Sequence, residues 1–159
     1  MGDALAIALL EARGFNAEDF AFSHPSGALG RKLLLRVKDI MHEGDQIPVV
    51  SADKTLQDAL IEMTQKGLGM TTIMSDDAKL VGIFTDGDLR RIIDLKVDFA
   101  TTSVSDVMSA DPKTIPQNML AAEALTIMEK ASITALIVEE EDHITGVLHL
   151  HDILRAGVI

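Results

Sequence analysis

Thr85 and Asp88 stand three residues apart where a β-branched, apolar run, Leu80 to Thr85, gives way to a helical pattern. A carboxylate in the first turn of a helix can accept hydrogen bonds from both hydroxyls of a ribose, and a threonine hydroxyl at the strand end adds a second group on the same rim. The same two residue types at the same spacing also make an ordinary helix cap. A second pair, His149 and Asp152, repeats the spacing with an imidazole in the threonine's place. His149 and His151 would alternate onto one side of an extended segment, as a two-histidine metal pair does. No third ligand lies nearby, so no metal is expected. A histidine here could instead meet a phosphate or a carboxylate, more strongly below its ordinary pKa of about 6.5. The second pair is therefore expected to be a related but degenerate site for a sugar.

The elements that carry these pairs occur twice. Val37-Lys38-Asp39-Ile40-Met41 returns as Val104-Ser105-Asp106-Val107-Met108, and Gly82-Ile83-Phe84-Thr85 returns as Gly146-Val147-Leu148-His149. Between them, Leu56, Ala59, Leu60 and Met63 form one helical stripe at i, i+3, i+4, i+7, and Ala121, Ala124, Leu125 and Met128 repeat it. Thr55 or Asp53 can cap the first of these helices. Ile47 to Val50, Thr71 to Met74 and Leu80 to Thr85 read as strands, the last two joined by a turn at Ser75 to Lys79. A helix follows with Leu89, Ile92 and Ile93 expected to face inward. Ala135 to Val138 and Ile144 to His149 supply the matching strands, joined through the acidic turn around Glu139 to Asp142, and Asp152 to Arg155 begins the last helix.

Each unit thus runs strand, helix, strand, strand, helix. So small a sheet cannot bury both faces alone, so the two units should pack on one another about a pseudo-two-fold axis. The expected division is 36–98 and 99–159. Residues 1–35 share none of the pattern. Asp3 to Arg13 reads as a helix ending at Gly14, Asn16 can cap a short turn, and Ser23 to Gly30 reads as an ordered loop because it holds Pro25, Gly27 and Gly30.

Composition narrows the function. A formal charge of −11 repels a phosphate backbone, and without Trp or Tyr the five Phe are the remaining aromatic platforms, so no nucleic acid is expected. The absence of Cys removes disulfides and thiolate metal sites. No apolar run has the length and flanks of a signal or membrane segment. A soluble, cytoplasmic protein with no membrane partner is the expectation.

With the Lys-Asp-Ile-Met and Ser-Asp-Val-Met lead-ins, the repeated stripe and Gly-x-x-Thr-x-x-Asp-Leu at 82–89, the chain resembles a tandem cystathionine β-synthase (CBS) domain pair. The fold class this implies is α/β, two repeats related by a pseudo-two-fold and preceded by a helical segment. In that family the positions of Thr85 and Asp88 hold the ribose of a nucleotide. By extension Ile47, Val49, Met70 and Thr71 would line its base, and Arg91, Arg90 or Lys66 would meet its phosphate. Residues 1–35, with Ala12-Arg13-Gly14-Phe15 and Ser23-His24-Pro25-Ser26-Gly27-Ala28-Leu29-Gly30, are similar to the end of the sugar isomerase domain of bacterial D-arabinose 5-phosphate isomerases. Ser26 departs from the family's His-Pro-Gly-Gly loop.

The resemblance implies that His24 belongs to an aldose–ketose isomerase active site, where a general base moves a proton between adjacent carbons. Its lysine and glutamate partners would lie upstream of this sequence. No cofactor is implied beyond a nucleotide effector: a cytidine monophosphate-activated sugar, CMP itself or an adenine nucleotide. The implied assembly is a homodimer through CBS pairs, and a higher homo-oligomer in a full-length enzyme. The alternative is a ligand-independent dimerisation module.

Overall fold

The computed structural model describes residues 28–158. The segment Asp3 to Arg13, the turn after Asn16 and His24 lie outside them.

Helix α1 spans Ala28–Leu34 and a short helix α2 spans Val37–Ile40. Gly30, placed in a loop by composition, is instead inside α1. The first copy then runs β1 (Val49–Ser51), α3 (Leu56–Lys66), β2 (Met70–Met74), β3 (Leu80–Thr85) and α4 (Asp86–Ile93). The second runs β4 (Ser109–Ala110), β5 (Thr114–Ile115), α5 (Ala121–Ala131), β6 (Ala135–Glu140), β7 (His143–His149) and α6 (Leu150–Arg155).

Local chemistry sets the boundaries. Thr55 caps α3 by accepting from the Asp58 N–H while Asp58 accepts from the Thr55 N–H, and Gly67 ends the helix in the left-handed region at φ 71°. The stripe residues Leu56, Ala59 and Met63 are buried, as are Ala121, Ala124, Leu125 and Met128. α4 buries Ile92 but leaves Ile93 60% exposed, contrary to the inward-facing expectation. Ile93 is the last helical residue, one position past the face that buries Asp88 and Ile92.

Two sheets result, in the orders β1-β2-β3-β4 and β5-β6-β7. In each, the first pair is parallel and the hairpin antiparallel, with a bulge at Ile73/Met74 and again at Val138/Glu139. The β6–β7 hairpin turns on Glu141 and Asp142, both at positive φ.

The segment leading into each copy packs on the other copy. Val104 is fully buried among Val50, Leu56, Ala59, Ile73 and Phe84 of the first, whereas Val37 is fully buried among Ala121, Leu125, Leu136 and Leu148 of the second. The backbone bonds obey the same exchange: the Val104 N–H donates to the Lys54 carbonyl at 3.0 Å, and the Val37 N–H to the Met119 carbonyl at 2.9 Å. Leu56 and Ala121, the first residues of α3 and α5, donate to the Thr102 and Leu35 carbonyls, both at 2.8 Å. Those carbonyls satisfy N–H groups that a helix start leaves unpaired. Leu120 caps α5 without a side-chain bond, so the crossed contact supplies a partner for the helix start that a capping side chain would otherwise provide.

The repeated glycines have their reason here. A Cβ on Gly82 would meet the Met108 sulfur and, at 3.0 Å, the Ser109 carbonyl; one on Gly146 would lie 2.6 Å from the Met41 sulfur and 2.8 Å from the His42 carbonyl. Each methionine of the lead-in motif fills the space above the other copy's glycine. A third cluster, around Met70, Ile137 and Val147 with Ile47, Ile83 and Ile144 against it, joins the two copies along the pseudo-two-fold. Leu33 is also buried, so the residues just before the first copy dock onto the protein rather than standing clear.

Candidate functional site

Strand β3 ends at Thr85 and α4 begins at Asp86, which puts Thr85 at the N-cap and Asp88 at the third helical position. One carboxylate oxygen of Asp88, Oδ2, accepts from the Thr85 N–H at 2.8 Å and from the Thr85 hydroxyl at 3.0 Å. Oδ1 accepts from the Ser109 hydroxyl at 2.8 Å and pairs with the Arg91 guanidinium. Asp88 is only 3% exposed. A buried carboxylate is tolerated when its acceptor sites are filled, and here they are. The threonine and aspartate are therefore a cap, as local chemistry allows, and at the same time fix a buried carboxylate at the strand-to-helix turn of the first copy.

The other expected residues fall at different depths. Met70 is the register partner of Thr85 and is 1% exposed, and Thr71 is fully buried. Ile47 is partly buried against the cluster joining the copies, whereas Val49 is 46% exposed on β1. Arg91 reaches back to Asp88 from an otherwise exposed side chain. Lys66 donates to the Asp45 carbonyl and lies 4.0 Å from Glu62, and Arg90 is exposed.

The second copy repeats the geometry with different atoms. His149 is the N-cap of α6, and Asp152 Oδ2 accepts from its N–H at 2.9 Å. Asp152 Oδ1 lies 2.9 Å from His42 Nε2. His151 is not in an extended segment as alternation implied. It is the second residue of α6, its N–H donates to His149 Nδ1 at 3.1 Å, and the two rings meet edge-on at 4.6 Å. Burial lowers the pKa of His149 below the ordinary imidazole value, the nearby His151 adds to this, and Asp152 opposes it. That suits its task, because the cap bond needs a free lone pair on Nδ1. Among the described residues no group of three or more His, Cys, Asp or Glu is placed to hold a metal ion.

Ser109 and His42 went unnoticed in the sequence. Their signal was the repeat itself: each directly follows the Asp-x-Met lead-in, Asp39-Ile40-Met41-His42 and Asp106-Val107-Met108-Ser109. Because the lead-ins are exchanged, each lands on the other copy's capping carboxylate.

Two short αβ units, exchanged lead-ins and a capped carboxylate at each strand-to-helix turn define the class: the chain belongs to the CBS domain family, which matches residues 37–95 and 104–159. Within that class its relatives are specific. Arabinose 5-phosphate isomerase KdsD of Yersinia pestis is 57% identical over 159 residues, and that of Escherichia coli strain K12 is 58% identical over the same length. Both alignments take in 100% of this chain and 48% of the relative, so the chain spans about half the length of the curated relatives it matches. Among solved structures, CBSX2 of Arabidopsis thaliana in complex with AMP has a TM-score of 0.65 at 21% identity, covering 78% of this chain and 96% of that one. That likeness shows the fold. No described helix is long and apolar enough to cross a membrane.

Proposed function

We propose that residues 36–159 form the regulatory module of a D-arabinose 5-phosphate isomerase and bind a nucleotide or nucleotide sugar in the first copy. The observation that carries this reading is the Asp88 carboxylate, held at the strand-to-helix turn by the Thr85 N–H and hydroxyl and contacted on its other oxygen by exchangeable donors, the Ser109 hydroxyl and the Arg91 guanidinium. A sugar hydroxyl can take the place of the serine hydroxyl, and Arg91, mostly exposed, can turn from Asp88 to a phosphate. Val49 and Ile47 offer the apolar wall nearest β1. The identity to KdsD supports the parent activity, in whose active site His24 would take part.

The candidate effectors are a CMP-activated sugar, CMP and an adenine nucleotide, the last because a protein of the same fold holds AMP. Calorimetric titration of the chain with CMP and with AMP tests the reading. Binding heat that Asp88→Ala abolishes supports it, and no heat from either nucleotide at millimolar concentration rejects it.

A second reading, assembly without a ligand, rests on the apolar residues left outside. Ile61, Ile93, Leu95 and Leu154 are between 46% and 68% exposed on helices or just after them, and Leu60 and Ile61 line a shallow groove on α3. A dimer in light scattering that is indifferent to nucleotide supports this reading. A monomer rejects it.

A further inference from the structure

We infer that the His42–Asp152 contact is a latch that ties the second copy to the segment before the first, so that disturbance of the second copy, and not of the first, is felt by residues 28–42. The inference goes beyond the binding reading and holds whatever the module binds.

Connectivity supplies the first observation. His42 ends the lead-in that follows α1, and that stretch is attached to the second copy along its length. The Leu35 carbonyl accepts from the Ala121 N–H, the Val37 and Lys38 N–H groups donate to the Met119 and Gln117 carbonyls, and His42 exchanges both backbone bonds with Val147 at 2.9 and 3.0 Å. The side chains agree. Val37 is fully buried in the second copy's core, with Leu35, Ile40 and Met41 against it, and Met41 sits over Gly146.

The His42 imidazole then joins this stretch to the start of α6 through Asp152, whose side chain is only 9% exposed. Asp152 is fixed from behind by the His149 N–H. A shift of α6 or of the β7 end must either carry His42 with it or break the contact.

The first copy has the same device with a different outlet. Its carboxylate, Asp88, is tied to Ser109, which sits on the connection between the copies, and that lead-in is anchored to Lys54 and to α3. Loosening Asp88 therefore frees an internal linker, whereas loosening Asp152 frees the segment that leads back to whatever precedes residue 28. His42 is a positioning residue in this scheme: it acts through the backbone it holds.

Hydrogen–deuterium exchange on the whole 159-residue chain, resolved by peptide, tests the latch. His42→Ala and Asp152→Ala should each speed exchange across 37–42 about tenfold, the loss expected for one hydrogen bond to a charged group, and the double variant should go no further. His42→Gln, whose amide can still donate to Asp152, should restore most of the protection. Asp88→Ala should speed exchange across 104–110 and leave 28–42 as it was. The latch is overturned by unchanged exchange in His42→Ala, by additive effects at 42 and 152, or by Asp88→Ala loosening 28–42 as much as Asp152→Ala does. Should Asp152→Ala not fold, the contrast between His42→Ala and His42→Gln decides alone.

Discussion

Adding one methyl group at Gly146 should destabilise the protein, although glycine to alanine in a strand ordinarily stabilises. The gain from a less flexible unfolded chain is about 0.4–1 kcal/mol. Against it stands a Cβ that would lie 2.8 Å from the His42 carbonyl oxygen and 2.6 Å from the Met41 sulfur. The methionine must be pushed from its place over the glycine, and the carbonyl is held by its bond from the Val147 N–H, so the lead-in must lift off β7. Overpacking of this kind costs about 1–3 kcal/mol. The net loss is centred on about 1.3 kcal/mol, a fall of roughly 3–5 °C in Tm for a chain of this size. Gly82→Ala should follow with a smaller fall, since its nearest backbone oxygen is 3.0 Å away. Gly87→Ala is the control: its nearest neighbour would be 3.5 Å off, in ordinary contact, and alanine in α4 should raise Tm. Urea unfolding of Gly146→Ala, Met41→Ala and the double variant separates the two contacts. The double should be less destabilised than the sum by at least about 0.5 kcal/mol, because losing the methionine makes room for the methyl. A Tm for Gly146→Ala at or above the parent's, or strict additivity with Met41→Ala, would refute the crossed packing of methionine on glycine.

Two further outcomes follow from the second copy. Glu141 and Asp142 both hold positive φ, at 49° and 63°, in a two-residue hairpin loop that prefers glycine at its second position, so Asp142→Gly should raise the unfolding free energy by about 0.5–1 kcal/mol in urea titration. His149 has a folded-state pKa below the ordinary 6.5, so between the two values the unfolded chain binds more protons than the folded one. Its share of stability is complete above about pH 6.5 and is lost as pH falls toward the folded value. His149→Asn, which keeps a neutral cap, should flatten the drop in urea midpoint between pH 7.5 and 5.5; an unchanged slope would show that His149 does not titrate on unfolding.

Much of this fold is legible in residue order because its elements carry strong periodicity. The stripes at 56–63 and 121–128 and the β-branched runs at 71–74 and 80–85 each report one apolar face, and the duplication reports that two such units exist. Periodicity reports that a face must be covered but not by what. The lead-ins are too short for a stripe, with four residues in α2 and a single 3₁₀ turn at Val104–Asp106, so their transfer to the opposite copy left no mark except the paired Gly and Met positions. The same limit accounts for Ile93, which obeys the stripe but stands one position past the buried face, and for His151, whose alternation with His149 disguised a helix that begins at Leu150. Thr85 and Asp88 were legible as a pair. Ser109, from the far copy, was not.

The duplication makes two related carboxylates, and the atoms that arrive from across the pseudo-two-fold make them unequal. Asp88 receives a hydroxyl from Ser109, the functional group a sugar would bring, so exchange of one for the other conserves the number and kind of hydrogen bonds and costs little beyond moving a small side chain. Asp152 receives the imidazole of His42, and its cap is a second imidazole, His149, in place of a threonine hydroxyl. An incoming sugar would have to expel a bulkier group whose backbone is itself bonded to β7, and the threonine hydroxyl that helps at the first copy has no counterpart. On the proposed reading, then, the first copy can take a ribose by substitution, and the second is organised to hold the lead-in. The two halves of one repeat would serve recognition and attachment because a serine follows one methionine and a histidine follows the other.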